Sequence, residues 1–238
     1  MRQNTDEHDA AAVLDGIDCL VWDWNGTLLD DVQLCVDALN VLCAKRNLPR
    51  VSLQEYRDKF TFPVIEYYRS VGFDFVAEPF HGPAQEWIAF YAGRVGVDAG
   101  LFAPARPVLE WARAKGLRQI ILSAHQKDML IHLMREFGVS SYFETILGLD
   151  DFDAQSKLEV GRAWLGQSGI KPRSALLIGD TVHDHEVAQA LGLPCVLLAQ
   201  GHQSRERLLA TGAPVLDGIG DVPRFVEANA IRIGQGSR

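Results

Sequence analysis

The fold of this chain is decided by residues 17–28, which read IDCLVWDWNGTL. A short apolar run ends at Asp23, and the chain then turns at Gly26 and Thr27. An apolar run of this length, bounded by turn residues, is typical of a strand that is buried on both faces of a sheet. The sequence therefore predicts a buried strand that carries the Asp23 carboxylate to the edge of a sheet.

Four further apolar runs end in a polar or small residue and are predicted to be parallel strands. They lie at residues 119–122, 145–147, 175–178 and 194–198. Helical patterns alternate with these strands, and a glycine follows most of them, as is usual at the end of a helix. The helical patterns cover residues 106–115, 126–137, 158–167 and 181–191. This alternation predicts a doubly wound parallel α/β sheet with right-handed crossovers.

The stretch from residue 30 to residue 100 carries helical patterns and no convincing strand. Between Asp31 and Arg46, for example, apolar residues recur along one face of a helix. We therefore expect a flexible N-terminal tail, an α/β core, and an all-helical domain inserted after the first strand. Their predicted bounds are residues 1–15 for the tail, 16–30 and 101–238 for the core, and 31–100 for the insertion.

The composition narrows the classes of partner. The 238 residues carry a formal net charge of −8, and 47% of them are hydrophobic. This acidic balance argues against nucleic acid or an anionic membrane as the partner, since either favours a basic surface. No apolar run approaches the ~18 residues that span a bilayer, and the polar N-terminus lacks the apolar segment of a signal peptide. The four cysteines form no CxxC pair, which favours core packing in a reducing cytoplasm.

Polar side chains follow several of the predicted strands. Asp23, Ser123 and Asp180 come directly after apolar runs, Asp184 lies one helical turn beyond Asp180, and Lys157 opens a predicted helix. Ligands of open α/β sheets bind beyond the carboxyl ends of the strands, where these residues are expected to meet. Carboxylates with a substrate phosphate suit Mg²⁺, and a hydroxyl and an ammonium suit phosphate oxygens. The sequence therefore predicts a magnesium and phosphate site at this edge.

These residues also carry a resemblance to a known family. Residues 23–27 (DWNGT), Ser123, Lys157 and residues 179–184 (GDTVHD) resemble, in this order, the four motifs of the haloacid dehalogenase superfamily. The helical insertion resembles the cap of the phosphoglycolate phosphatase-like branch. The resemblance covers nearly the whole chain. It implies a Rossmann-like core and a phosphatase that encloses a small phosphorylated molecule beneath its cap.

The resemblance also implies roles for individual residues. Asp23 is expected to be the nucleophile that takes up the phosphoryl group as an aspartyl-phosphate. Thr27, Ser123 and Lys157 are expected to bind the phosphoryl oxygens, and Lys157 also to neutralise the nucleophile.

A second set of roles concerns the metal. Asp180 and Asp184 are expected to hold Mg²⁺ together with Asp23 and the backbone carbonyl of Asn25. The predicted cofactor is therefore Mg²⁺. The sequence gives no indication of oligomeric state.

Asn25 departs from the family pattern, in which phosphatases carry a second aspartate that protonates the leaving group and then activates water. Three interpretations follow. The protein is a phosphatase with an undemanding leaving group or a borrowed base. Alternatively, it performs phosphonatase-like or dehalogenase-like chemistry, or it is a slow or inactive regulator that binds a phosphate ligand. We favour the first because Asp23, Lys157, Asp180 and Asp184 are all present.

Histidines offer one candidate for the missing proton transfer. His125 lies two residues beyond Ser123, at the predicted mouth of the site, where it could touch substrate or relay a proton. His183 and His185 do not share a helical face, which disfavours a zinc site, and we expect them on the surface. Several residues of the insertion could line the substrate side. They are Arg57, Phe62, Tyr67, Tyr68, Arg69 and His81.

Overall fold

The computed structural model describes residues 16–150 and 156–231, so the predicted tail at residues 1–15 lies outside the described residues. The described part contains a six-stranded sheet, in the order β5-β4-β1-β6-β7-β8, and a separate two-stranded ribbon of β2 and β3. The strands are β1 (Cys19–Trp22), β2 (Leu29–Asp30), β3 (Gly100–Leu101), β4 (Arg118–Gln126), β5 (Thr145–Leu149), β6 (Ala175–Gly179), β7 (Cys195–Leu198) and β8 (Val215–Leu216).

Helices flank the sheet and fill the insertion. They are α1 (Val32–Lys45), α2 (Leu53–Lys59), α3 (Val64–Val71), α4 (His81–Ala92), α5 (Val95–Asp98), α6 (Ala105–Ala114), α7 (Lys127–Glu136), α8 (Lys157–Ser168), α9 (Val182–Leu191), α10 (Arg205–Leu209) and α11 (Val222–Ile231). All pairings in the six-stranded sheet are parallel. The predicted doubly wound α/β fold is therefore confirmed.

Strand β1 occupies the middle of the sheet, between β4 and β6. Its side chains alternate between the two faces, as the period of a strand requires. Leu20 and Trp22 enter one buried cluster, whereas Cys19 and Val21 enter the other. All four side chains are fully buried, which explains why the run is apolar throughout. Its central position also carries the next residue, Asp23, to the middle of the carboxyl edge.

Three details of the sheet differ from the prediction. Strand β8 was not anticipated because its apolar run is only two residues long. Strand β4 continues past residue 122 to Gln126, with a change of register against β5, so Ser123 lies within the strand. The ribbon of β2 and β3 was also missed, since two residues are too few to show a strand period.

The helices α1 to α5 form the helical insertion, which leaves the core at β2 and returns at β3. The antiparallel pairing of Leu29 with Leu101 brings the entry and exit points together. At its far end the insertion is bound to the loop after β7. There the Arg57 guanidinium donates to the carbonyls of Gln200 and Gly201, both at 3.0 Å. The insertion is thus attached to the core both at the ribbon and through hydrogen bonds to the loop after β7.

None of the helices in residues 16–150 and 156–231 combines the length and apolar character needed to cross a membrane. The cysteines Cys19, Cys35, Cys43 and Cys195 are all buried and free of disulfides.

A buried hydrogen-bond relay beneath the first strand gives a test of the core. The Trp22 indole N–H donates to Gln119 Oε1 at 3.2 Å, and Gln119 Nε2 donates to the Leu109 carbonyl at 3.0 Å. We expect Gln119→Leu to lower the free energy of unfolding by about 1–3 kcal/mol, because it leaves buried polar groups without partners. Urea denaturation measures the change, and Gln54→Leu on the exposed face of α2 is the control. An equal, small loss in both variants would contradict this account of the core.

Candidate active site

Asp23, Lys157 and Asp184 form a buried ion cluster at the carboxyl edge of the sheet. Lys157 Nζ donates to Asp23 Oδ1 at 2.6 Å and to Asp184 Oδ1 at 2.5 Å. The side chain of Asp23 is 11% exposed, against 3% for Lys157 and 2% for Asp184. Asp23 is therefore the member of this cluster that a ligand can reach, and its Oδ2 is not taken up by the lysine.

Helix caps place the two partners of Asp23. Lys157 is the first residue of α8, which Ser156 and Glu159 close with a capping box. Asp184 is the third residue of α9 and forms a capping box with Thr181, whose hydroxyl donates to Asp184 Oδ2 at 2.7 Å. A capping box fixes the first turn of a helix. The caps therefore hold the ammonium and the carboxylate at defined points of the site.

Asp180 is fully buried and is held by two donors. The Thr27 hydroxyl donates to its Oδ1 at 3.0 Å, and the backbone N–H of His202 donates to its Oδ2 at 2.7 Å. The backbone packs so closely here that a Cβ at Gly26 would lie 2.3 Å from Asp180 Oδ2, and one at Gly201 would lie 2.1 Å from it. The carboxylate therefore depends on two positions that lack a side chain.

The charges of the site fit a divalent cation. Oxygens of Asp23, Asp180 and Asp184 lie within 4.8 Å of one another. Three carboxylates against the one ammonium of Lys157 leave an excess of two negative charges. Hard oxygen ligands of this kind suit Mg²⁺, which is bound by few carboxylates and by substrate phosphate. The residues present therefore fit the cofactor that the sequence predicts.

The pKa values reflect the cost of burying these carboxylates together. Burial raises the pKa of Asp23 to about 8, although Lys157 opposes the rise. Burial likewise raises the pKa of Asp180 to about 6, with His202 opposing it. For Asp184, burial acts in the same direction, but the charge and hydrogen bond of Lys157 outweigh it and lower the pKa. A bound cation would favour the ionised form of all three groups.

The two hydroxyls predicted to bind phosphate have different surroundings. The Thr27 hydroxyl is fully buried and donates to Asp180, so its predicted bond to a phosphoryl oxygen stays a prediction. Ser123 accepts the backbone N–H of His125 at 3.1 Å. Among the described residues the Ser123 hydroxyl donates to no protein acceptor, which leaves its hydrogen available to an anion.

His125 is a candidate proton acceptor at the same edge. Its ring meets the ring of Tyr91 edge-on, with centroids 6.1 Å apart. Its Nε2 is buried and has no hydrogen-bond partner within residues 16–150 and 156–231. Burial lowers the pKa of His125, with a smaller opposing effect of Asp31. His125 is therefore neutral at neutral pH, with a ring nitrogen that no described protein group uses.

The Asn25 side chain is bound to two groups that sequence reasoning missed. Its Nδ2 donates to Asp31 Oδ2 at 2.6 Å and to the Tyr91 hydroxyl at 2.9 Å. The Tyr91 hydroxyl in turn donates to Asp31 Oδ2 at 2.7 Å. Asp31 is buried, whereas Asn25 is partly exposed. A second carboxylate is thus present beside residue 25, although not at residue 25.

Asp31 is also paired with His202, whose Nε2 lies 3.3 Å from Asp31 Oδ1. Burial alone would raise the pKa of Asp31, but the nearby charge of His202 and the hydrogen bonds from Tyr91 and Asn25 lower it. Burial alone would lower the pKa of His202, but Asp31 chiefly raises it to about 9. The two groups therefore form a buried ion pair, which ties the start of α1 to the loop after β7.

A feature of the sequence could have identified His202 as a site residue, but no feature of the sequence identified Tyr91. His202 follows the end of β7 at the carboxyl edge, by the same rule that selected Asp180. Asp31 precedes the first helix of the insertion and therefore looks like an ordinary cap, but it makes no capping hydrogen bond. Tyr91 lies on α4, and its distance along the chain hides its proximity to Asn25.

The insertion residues proposed from the sequence have mixed outcomes. Tyr67 and Tyr68 are buried in an aromatic cluster of the insertion, and Arg69 forms an exposed ion pair with Glu66. The His183 side chain is 29% exposed, and its ring lies 5.0 Å from that of the exposed Phe62.

The chain is similar to known proteins over most of its length. A family model described as "Haloacid dehalogenase-like hydrolase" matches residues 20–198, most of the chain. A phosphoglycolate phosphatase of Caulobacter vibrioides is 26% identical over 212 residues, which cover 86% of this chain and 89% of the relative. The tyrosine-protein kinase PtkA of Mycobacterium tuberculosis is 26% identical over 141 residues, 59% of this chain and 48% of the relative.

The solved structures show the same fold. The structure titled as a predicted phosphatase from Clostridium acetobutylicum superposes with a TM-score of 0.76 at 18% identity. The match covers 90% of this chain and all of that one.

The close packing around Gly26 gives a test of the site. Gly26 has a φ of +70°, and an added Cβ would also meet His202 Cδ2 at 2.5 Å. Gly116 has nearly the same φ, +73°, but nothing lies within 4 Å of its Cβ position. Gly116→Ala should therefore cost only the backbone strain, about 1–2 kcal/mol. Gly26→Ala should lower the free energy of unfolding by roughly 1–3 kcal/mol more, since it also overpacks the site.

Chemical denaturation of the two alanine variants measures this difference, and isothermal titration with Mg²⁺ measures the site directly. We expect weakened Mg²⁺ binding in Gly26→Ala alone. Equal losses of stability in both variants would mean that the backbone conformation matters and the close approach does not.

Proposed function

The chain belongs to the haloacid dehalogenase-like hydrolase family, and we propose that it hydrolyses a small-molecule phosphate monoester with Mg²⁺ as cofactor. The observation that carries the proposal is the contact between Asp23 and Lys157. The Asp23 side chain is partly accessible beside this buried cation, and no group of the described residues binds its Oδ2. Relatives that are named phosphoglycolate phosphatases support hydrolysis of a phosphate ester. The insertion would act as a cap that encloses the substrate.

In the first step Asp23 Oδ2 bonds to phosphorus, and the bond between phosphorus and the leaving oxygen breaks. The electron pair of that bond leaves with the alcohol or phenol oxygen. Lys157 offsets the charge of Asp23, and the Ser123 hydroxyl donates to a phosphoryl oxygen. Mg²⁺ would be held by Asp23, Asp180, Asp184 and the backbone carbonyl of Asn25. It would neutralise charge on the transferring group.

The leaving oxygen receives no proton from residue 25, because an amide cannot supply one at neutral pH. A general acid contributes typically about 10²–10⁴-fold when the leaving group is basic. The site therefore favours a leaving group that departs as a stable anion. Aryl and acyl phosphates, which release a phenolate or a carboxylate, are substrates of this kind.

In the second step a water oxygen bonds to phosphorus, and the bond between phosphorus and Asp23 breaks, with its electron pair returning to the carboxylate. The water must lose a proton. We assign its acceptor as His125 Nε2, which is neutral at neutral pH and unpartnered among the described residues.

The phosphonatase-like alternative is weakened by the lysines of the insertion. That chemistry would need an insertion lysine in the site. Lys45 instead pairs with Glu86 and is 58% exposed, and Lys59 is exposed at the end of α2. The retained metal cluster is not needed by a dehalogenase, and a partly accessible nucleophile is not needed by a regulator. The predicted cytoplasmic location stays a prediction.

Replacement of the nucleophile tests the reaction. Asp23→Asn should lower Mg²⁺-dependent release of phosphate from a panel of aryl, acyl and alkyl phosphates by at least about 10³-fold. Removal of Mg²⁺ with a chelator should have a similar effect on the wild type. Asp58→Asn, which changes an exposed carboxylate on α2, is the matched control. Unchanged turnover in Asp23→Asn would exclude the proposed nucleophile.

The pH dependence tests His125. Its pKa is lowered from the ordinary value of 6.5, so the neutral base is present at neutral pH and is lost as pH falls below 6.5. With p-nitrophenyl phosphate we expect kcat to fall along that acid limb. His125→Gln should lower kcat by about 10²-fold and remove the limb, whereas His132→Gln at an exposed position should change neither. An acid limb that survives in His125→Gln would assign the base elsewhere.

A further inference from the structure

We propose that Asp31 and Tyr91 are positioning residues that lock the Asn25 amide, so that Asn25 presents only its carbonyl oxygen to the water that attacks phosphorus. The inference rests on the proposed function for its catalytic part. Its structural part, that residues 25 and 31 act as one carboxylate–amide pair, stands on the contacts alone.

The orientation of the amide follows from the chemistry of its neighbours. Asp31 is ionised, since it accepts from the backbone N–H of Gly26 at 3.0 Å and pairs with His202. An ionised carboxylate is only an acceptor, so the group of Asn25 that faces it at 2.6 Å must be the NH₂. The Tyr91 hydroxyl gives its hydrogen to Asp31 and therefore accepts the second N–H of Asn25.

Both hydrogens of the amide are therefore used, and its planar geometry directs Oδ1 away from Asp31. Within residues 16–150 and 156–231 no protein donor binds this oxygen. Asn25 lies two residues beyond the nucleophile and is partly exposed. Its Oδ1 can accept a hydrogen bond from water and orient it, while the proton passes to His125 Nε2 as described above.

Tyr91 makes this arrangement dependent on the insertion. It lies on α4, whereas Asn25 belongs to the core loop after β1. When α4 is in place, three groups close a ring of hydrogen bonds with separations of 2.6, 2.7 and 2.9 Å. Displacement of α4 would free one N–H of Asn25 and allow the amide to turn. The position of the insertion therefore controls whether Asn25 presents its Oδ1 or its Nδ2 to the attacking water.

The pair also predicts how residue 25 responds to substitution. Asn25→Asp alone would place two carboxylates where one donor is required, and like charges at this distance repel. A simple restoration of the family aspartate is therefore expected to fail. Exchange of both residues, Asn25→Asp with Asp31→Asn, returns one donor and one acceptor to the pair with their positions reversed.

A double-mutant cycle tests the pair without reference to activity. Urea midpoints are measured for the wild type, Asn25→Asp, Asp31→Asn and the exchanged double variant. We expect both single variants to have lower midpoints than the wild type, and the double variant to lose clearly less than the sum of the two single losses. Additive losses in the double variant would overturn the pair. If a single variant does not fold, recovery of a cooperative transition in the double variant gives the same answer.

Kinetics with p-nitrophenyl phosphate and Mg²⁺ test the positioning of water. This leaving group needs no proton, so kcat/KM reports the steps through phosphorylation of Asp23, and kcat reports hydrolysis of the phosphoenzyme. Tyr91→Phe removes one hydrogen bond to Asn25 and should lower kcat about 3–10-fold, with kcat/KM unchanged within about twofold. A distortion of the whole site would lower both quantities. Tyr67→Phe is the control, since the buried Tyr67 hydroxyl has no partner among the described residues.

The outcomes separate this inference from the proposed function. If the wild type releases no nitrophenol and Asp23 is never phosphorylated, the proposed function fails, and the stability cycle alone still decides whether residues 25 and 31 form a pair. If the wild type is active but Tyr91→Phe lowers kcat/KM as strongly as kcat, or changes neither, the positioning role is wrong while phosphoryl transfer stands.

Discussion

Three carboxylates are buried together at the end of one sheet, and the repulsion among them is the constraint on which the site depends. Lys157 offsets part of it through its two short contacts to Asp23 and Asp184. Hydrogen bonds offset a further part of the repulsion, because Asp180 and Asp184 each accept a backbone N–H. An excess of negative charge still remains. The divalent cation of the proposed function would offset this excess.

The same edge contains a second group of charges, centred on Asp31 and His202. Asp31 and His202 neutralise each other, and the side chains of Asn25 and Tyr91 also donate to the Asp31 carboxylate, as does the backbone N–H of Gly26. The first cluster has three carboxylates and one ammonium, whereas in the second the charges of Asp31 and His202 balance. Asn25 lies next to both groups. Its main chain follows Asp23 by two residues, and its side chain donates to Asp31 and Tyr91. The amide at this position is therefore matched to its own surroundings and is not simply a lost acid.

The sequence predicted the architecture well because β1, β4, β6 and β7 are apolar runs and their helices stop at glycines. It also brought Asp23, Lys157, Asp180 and Asp184 to one edge, since a parallel sheet collects strand ends there. It could not predict the partners of Asn25. Asp31 has the appearance of a helix cap, and Tyr91 is 66 residues from Asn25 along the chain. Contacts between a loop and a distant helix leave no periodic pattern, and the same holds for the hydrogen bond from the Thr27 hydroxyl to Asp180.

The ribbon of β2 and β3 joins the two ends of the insertion, so changes within the insertion need not alter the sheet. The chain leaves and re-enters the core at neighbouring residues, Asp30 and Gly100, which pair with each other. A segment with adjacent ends can be lengthened, shortened or replaced while the six strands keep their register. Under the proposed function, phosphoryl transfer at the sheet edge and recognition of the rest of the substrate by the insertion would reside in parts of the molecule that can change separately. The hydrogen bond from Tyr91 limits that independence, because any replacement segment would have to supply a group that fits Asn25.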